Sequence, residues 1–467
     1  LQKTGFSKGD RMAAVMPNSA ETIIASLASS SLGGVWSSCS PDFGFKSIFD
    51  RFSQINPKVL IICESYSFKG KKYDCTDRIK KLISSIKSIE KVIIVNYESS
   101  KRIKDSKCIY WNNLDFSSND SKIKFSKMSF NDPLYIMFSS GTTGKPKSIV
   151  HSVGGTLIQH IKELGLHTDL HSKEKILYYT TCGWMMWNWL LSSMYFGSTI
   201  VLYEGNPFYP SYDSLLKIIN DNSINVFGTS AKYISYLQSE GIKPKEKYDF
   251  KKLRLILSTG STLTEENFDY VYDRFKKDVQ LSSISGGTDI ISCFALGNPI
   301  LNVHRGELQC IGLGMDVHSY DLNGKPINNQ KGELVCRSPF PSMPIYFWND
   351  KDGSKYYGSY FNKYENVWTH GDFIEINDYS GVIVYGRSDA TLNPNGIRIG
   401  TSEIYSVIDS ILEVKDSIAV NSNLKDEYIL FVKLLPGSCL NEKLISDIKS
   451  EIRNNLSPKH LPADIIQ

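Results

Sequence analysis

The sequence predicts an α/β protein: a large N-terminal domain of mainly parallel sheets sandwiched by helices, a small β-rich lobe, and a small α+β C-terminal domain. Three observations carry this. Short apolar runs recur as buried strands: "PKVLIIC" (57–63), "KVIIVN" (91–96), "LYIMFSS" (134–140), "KILYYTT" (175–181), "STIVLYEG" (198–205), "INVFGTS" (224–230) and "LRLILSTG" (253–260). Between the later ones lie segments of helical spacing, "GTLIQHIKELGLH", "YDSLLKIINDN", "AKYISYLQSEG" and "TEENFDYVYDRFKKD", an alternation that makes βαβ units. From Gly306 the texture changes to strand alternation broken by Gly and Asn turns, as in "GELQCIGLGMDVHSYDLNGKP" and "KGELVCRSP".

Taken in order, "LQKTGFSKGDRMAAVMPN" reads as a helix end followed by a strand, so the chain is expected to begin inside a domain. The large domain is expected over 1–388, with its β-rich lobe at about 306–388. After "VIVYGRSDATLNPNGIRIG" (382–400) come a helix, "TSEIYSVIDSI", and strands such as "EYILFVKLL", which make 389–467 the C-terminal domain. It stops at "SPKHLPADIIQ", where a further strand begins, and is expected to be incomplete.

The 467 residues exceed what one ordinary core needs. Net charge is +4, from 53 basic and 49 acidic side chains, too small and scattered an excess for a nucleic-acid surface. The basic cluster "SKRIKDSK" (100–107) reads as a solvated loop. Nine dispersed cysteines without a CxxC exclude a zinc ribbon or redox pair and suit a reducing, cytoplasmic compartment. No apolar run approaches the roughly 18–20 residues of a membrane span. His160, His167 and His171 have a spacing that could suggest a metal face, but without HExxH they read as solvated.

The chemistry concentrates first at "SSGTTGKPK" (139–147). Glycines let backbone N–H groups approach an anion, hydroxyls donate and lysines neutralise charge, and the stretch follows an apolar strand, where open α/β sheets place ligands. It is not a Walker loop, because GxxxxGK[ST] is absent, and the paired HRD and DFG of a kinase do not occur together, since the DFG at 42–44 has no HRD beside it in the chain.

This loop resembles the signature loop of the acyl- and aryl-CoA synthetase, adenylation-domain and luciferase superfamily, whose members join a carboxylate to AMP and pass the acyl group to a thiol. The resemblance implies phosphate binding by Ser139, Ser140, Gly141, Thr142, Thr143, Gly144, Lys145 and Lys147. "SISGGTDI" (284–291) resembles the second nucleotide motif, which implies Thr288 at the α-phosphate and Asp289, in place of the usual Glu, near Mg²⁺. "STGSTLT" (258–264) resembles the adenine segment, with Gly260, Ser261 and Thr262. "WTHGDF" (368–373) supplies Asp372 for the ribose, an Asp that would otherwise read as part of a β-turn. "YGRSDATLN" (385–393) supplies Arg387 near ribose and phosphate and Asp389 as hinge; Arg398 would reach phosphate, and Gly396 would let the pantetheine arm of CoA pass. The implied substrates are ATP with Mg²⁺, coenzyme A and a carboxylic acid.

Across essentially the whole chain, "GVWSSCSPDFG" (34–44), "IVHSVGGTLIQHIKELGLHTDL" (149–170), "TTCGWMMWNW" (180–189) and "YFWNDKDGSKY" (346–356) resemble the acetoacetyl-CoA synthetase branch, which implies acetoacetate as the acid. Acetyl-, propionyl- or butyryl-CoA synthesis is the alternative, and a nucleotide-binding fragment a further one. Gly286, with Gly287, stands where acetyl-CoA synthetases close the acyl pocket with Trp; this opens room for a longer acid or lets backbone approach. Discrimination by size is worth only roughly 1–3 kcal/mol per methylene. Trp184, Trp187 and Asn188 are candidate donors to a keto oxygen, or packing beneath the sheet. The resemblance also implies a lysine in a late "SGK"-type motif, which no segment of the chain matches; adenylation by this chain is therefore expected to be weak.

Overall fold

The computed structural model describes residues 1–97, 102–114, 123–139, 145–388, 391–392, 394, 399–408, 411–422 and 427–467. Two sheets form its centre. The first runs Tyr346–Phe347, Lys147–Ser152, Pro133–Ser139, Val35–Cys39, Arg11–Val15, Val59–Cys63, Lys91–Val95 and Cys108–Tyr110. Its pairs are parallel from Pro133–Ser139 onward, and the first two strands join antiparallel. The second, Thr199–Ile200, Lys175–Tyr178, Val226–Ser230, Leu255–Thr259 and Gln280–Ser283, is wholly parallel.

Strand alternation assigns the layers. Met12, Ala14, Trp36 and Ile61 point from the first sheet into a core shared with Ile176, Tyr178, Val226 and Leu255 of the second. Ala13, Val15, Leu60 and Ile62 point the other way, against Ile48 and Phe52 of the helix Phe45–Ile55 and Ile79 and Leu82 of the helix Thr76–Ser85. Leu177, Phe227 and Ile256 on the far face of the second sheet bury the helices Ser214–Asp221 and Ala231–Ser239. Both sheets are thus covered on both faces, the requirement of parallel strands.

An antiparallel sheet of Pro326–Ile327, Val317–Tyr320, Gly332–Cys336, Trp368–Ile376 and Val382–Arg387 makes the β-rich part. After it, Val414–Asn421, Tyr428–Leu434 and Asp464–Ile466 form a sheet of their own, backed by the helices Thr401–Ile408 and Glu442–Asn455 around Tyr428, Leu430 and Ile448.

Three expected elements differ, one being the helix of "TEENFDYVYDRFKKD", which is regular over Glu265–Tyr270 and a π turn over Val271–Phe275. The strand expected over 198–205 pairs only at Thr199–Ile200; it lies at the sheet edge, and beyond it Glu204 turns away to accept a hydrogen bond from the Asn18 backbone at 2.6 Å. The helix expected to run through "GTLIQHIKELGLH" is regular over Val153–Lys162, then widens into a π turn at Glu163–His167. Among the described residues no helix is long and apolar enough to cross a membrane.

Candidate active site

A cavity of about 1140 Å³ opens where the two sheets, the antiparallel sheet and the C-terminal segment meet. Strand ends line it, as expected of the carboxyl edge of parallel sheets. Ser139 ends one strand, Gly260, Ser261 and Thr262 follow another, and Gly286, Gly287, Thr288 and Asp289 form a hairpin beyond a third. Asp372, Arg387, Trp184 and Asn188 complete its wall. The structure therefore gathers residues that the sequence spreads over 139–387.

Asp372 is not in a turn. It lies within the strand Trp368–Ile376, whose buried positions alternate, so that Trp368, His370 and Asp372 all point inward. Arg387 is its partner across the ladder, with Nη1 3.2 Å from Oδ1. His370 Nε2 lies 3.7 Å from the other oxygen, and Arg387 also donates to the His370 carbonyl at 3.1 Å. Asp289 is fully buried and accepts a 2.6 Å hydrogen bond from Tyr360. Lys147 stands over the Tyr360 ring, 5.3 Å from its centre, and outside the cavity wall. Lys145 is exposed and likewise away from the wall. Ser140, Gly141, Thr142, Thr143, Gly144, Asp389, Gly396 and Arg398 lie outside the described residues.

The acyl-side residues behave differently from one another. A Cβ on Gly286 would come within 2.0 Å of the Ser292 carbonyl oxygen, so the missing side chain serves the close approach of the strand Ser292–Leu296. Trp187 is buried outside the cavity wall, stacked on Trp36 and donating its indole N–H to Asn18 Oδ1 at 3.0 Å. Trp184 faces the cavity and meets Tyr178 edge-on.

The reading of the histidines as solvated holds for His171, which is exposed, and fails for the other two. His160 and His167 are buried and each bonds through both ring nitrogens: His160 to Ser192 Oγ (2.8 Å) and the Ile291 carbonyl (2.7 Å), His167 to the Gly297 carbonyl (2.7 Å) and the Leu313 amide (3.1 Å). Burial lowers both below the ordinary histidine range. It lowers His151, 3.0 Å from the Thr288 carbonyl, to about 3. His151 lies on the strand Lys147–Ser152, His160 on the regular helix and His167 at the end of the π turn.

Sequence reasoning missed four further groups at the cavity: Arg51, Glu204, His370 and Lys459. Arg51 had a signal, since Ile48, Arg51, Phe52 and Ile55 share one helix face and a cation in an apolar stripe needs a partner. That partner is Glu403 at 3.7 Å, itself 3.2 Å from His460. His370 had the period-2 signal of its strand. Burial raises Glu204 to about 7, opposed by the Asn18 amide and assisted by Asp42. Among the described residues no group of three His, Cys, Asp or Glu side chains could hold a metal ion.

Comparison with known proteins gives the arrangement its relatives. The family of AMP-binding enzymes matches residues 1–347. An acetoacetyl-coenzyme A synthetase of Rhizobium meliloti (strain 1021) is 47% identical over 471 residues, covering 100% of this chain and 72% of the relative. An acetoacetyl-CoA synthetase of Danio rerio is 43% identical over 480 residues, covering 100% of this chain and 71% of the relative. The solved acetoacetyl-CoA synthetase from Streptomyces lividans superposes with a TM-score of 0.80 at 40% identity, over 100% of this chain and 71% of that one. The chain belongs to the AMP-binding enzyme family, in the branch of the acetoacetyl-CoA synthetases.

Proposed function

We propose that the protein is an AMP-forming acid–thiol ligase that converts acetoacetate to acetoacetyl-CoA through an acyl-adenylate. The observation that carries the reading is the convergence of Ser139, Gly260–Thr262, Thr288–Asp289, Asp372 and Arg387 on one cavity. A carboxylate oxygen attacks the α-phosphorus of ATP, the bond to pyrophosphate breaks, and pyrophosphate leaves. The thiol of coenzyme A then attacks the acyl carbon, loses its proton, and AMP departs.

Each group has a physical task. Asp372, held by Arg387, accepts hydrogen bonds from the ribose hydroxyls. Ser139, whose buried hydroxyl has no hydrogen-bond partner among the described residues, and Thr288 donate to phosphate. The segment Gly260–Thr262 borders adenine. Preorganised donors of this kind cost no reorganisation as charge develops. Asp289 offers one carboxylate at the cavity, which suits a Mg²⁺ held mainly by the nucleotide's own phosphates. Such an ion would neutralise charge on the leaving pyrophosphate.

Residues 389–467 are read as a C-terminal domain that turns about Asp389 between the two steps. Its separate core supports this; among the described residues its polar ties to the large domain include Arg51 with Glu403, Lys232 with Glu427, and the Gly44 amide on the Leu456 carbonyl. Nine free cysteines favour a cytoplasmic setting.

The test is thermal unfolding with non-hydrolysable acyl-AMP mimics carrying acetyl, butyryl and acetoacetyl groups, since a ligand of the native state raises stability by RT ln(1 + [L]/Kd). The acetoacetyl mimic is expected to give the largest shift. Equal shifts for butyryl and acetoacetyl would make the protein a general short-chain ligase, and no shift with any mimic would refute nucleotide activation.

A further inference from the structure

We infer that His151 and His160 are positioning residues for the nucleotide's phosphates: from behind the cavity wall they hold the turn Thr288–Ile291 in the shape that presents Thr288 and Asp289. The inference rests on the reading of Thr288 and Asp289 given above.

The turn needs holding. Ile291 sits at φ +47°, in the left-handed region that a β-branched residue rarely adopts. Such a conformation persists only where its surroundings over-determine it. Within the turn the local ties are long: the Ile290 amide reaches the Gly287 carbonyl at 3.2 Å and the Ile291 amide the Thr288 carbonyl at 3.3 Å. The short bond comes from outside, where His160 Nε2 is 2.7 Å from the Ile291 carbonyl. His151 Nε2 takes the other end, 3.0 Å from the Thr288 carbonyl. A carbonyl only accepts, so both ring nitrogens donate.

The His160 ring is itself held through both nitrogens. Ser192 Oγ lies 2.8 Å from the second nitrogen of His160, and both histidines are buried. One turn further along the helix, Glu163 anchors the strand that leaves the turn. Its Oε1 accepts from Ser292 Oγ at 2.5 Å and from the Cys293 amide at 3.2 Å, while Oε2 accepts from the Trp189 indole at 2.9 Å. The buried His160 and Glu163 side chains are satisfied, and such networks select one backbone arrangement. The turn is therefore pinned at both ends, with Thr288 and Asp289 at the cavity wall and the Asp289 carboxylate held by Tyr360.

The experiment measures affinity for ATP, AMP and adenosine by calorimetry, in Mg²⁺ buffer, on the whole chain and on H151L, H160L, H160Q, H160N and T288A. The Leu variants are expected to weaken ATP and AMP tenfold or more while adenosine stays within twofold. A purely structural role would weaken all three alike, and that result would overturn the inference. Gln carries its amide donor to about the reach of Nε2 and Asn does not, so H160Q is expected to retain phosphate affinity that H160N loses. This pair decides the matter if a Leu variant fails to fold; equal affinities for the two would overturn the inference. Parent-like phosphate affinity in H151L and H160L beside a weakened T288A would refute the positioning role alone. Parent-like affinity in T288A would refute the reading of Thr288 beneath it.

Discussion

Arg387 and Asp372 face each other across one antiparallel ladder, Nη1 to Oδ1 at 3.2 Å, both on the wall of the same cavity. Each is about nine-tenths buried, with side chains 9% and 11% exposed, so the pair is fixed before any ligand arrives. Removing Asp372 deletes the proposed ribose acceptor. Hydrogen bonds to a charged group are worth about 1.5–3 kcal/mol, so D372A is expected to weaken AMP binding by tenfold or more, read by calorimetry. R387L should do something further, because it strips a guanidinium from a buried carboxylate. A loss of about 3 kcal/mol in denaturant unfolding is expected. Unchanged stability in R387L would mean that Asp372 is adequately served by His370.

Gly286 makes a second prediction, against the simplest idea of a pocket opened by a missing Trp. Its Cβ direction points into the Ser292 carbonyl, 2.0 Å away, and Cys293 Cα is 2.7 Å off. A Trp placed there has to displace the strand Ser292–Leu296 before it touches substrate. Overpacking of this kind costs about 1–3 kcal/mol. G286W is expected to lower the melting temperature and to reduce affinity for acetyl and acetoacetyl adenylate mimics together. A stable G286W that rejects only the longer mimic would restore the pocket-size explanation.

The same residue shows how far the sequence could be read. Patterns of period 2 and 3.6 report which side of an element is apolar, so the two parallel sheets and their covering helices were legible from runs such as "KVLIIC" and "LLKII". Motif order was legible too: Ser139, Gly260 and Thr288 lie at or just beyond strand ends, and the antiparallel sheet brings Asp372 and Arg387 to the same cavity. What periodicity does not carry is the direction of a glycine's absent Cβ, which depends on a partner strand. Nor does it carry what a polar-looking helix packs against: His160, on the regular helix, and His167, at the end of the π turn, are both buried although the sequence made them look solvated. Glu204 was hidden for a related reason: an apolar-looking strand ended early at an edge with no neighbour to pair with.

Trp187 separates packing from recognition. Its indole N–H donates to Asn18 Oδ1, and Asn18 in turn gives its backbone amide to Glu204. W187F keeps an aromatic ring against Trp36 but leaves the amide oxygen without that donor. An unsatisfied buried acceptor costs about 1–3 kcal/mol, so a lower unfolding midpoint is expected with an unchanged ranking of acetyl, butyryl and acetoacetyl mimics. A changed ranking at unchanged stability would put Trp187 back in contact with the acyl group.

Glu204 gives the protein a pH dependence whose sign is fixed. Burial raises the carboxyl to about 7 from an ordinary value of 4.5; the Asn18 amide and Lys459 pull it down, and Asp42 adds to the rise. Between those two values the native state keeps a proton that the unfolded chain has released. Stability then falls as pH rises, because the native state binds more protons than the unfolded one. The contribution is most favourable below about pH 4.5, declines through the interval, and is level above about pH 7. Glutamine cannot ionise, so E204Q is expected to lose this part of the slope and to melt higher than the parent at pH 8, with the difference shrinking towards pH 5. Melting temperatures of both proteins across pH 5–8, without ligand, check it. Parallel curves would show that Glu204 ionises freely into the cavity, and that Lys459 and the water reaching it offset its burial.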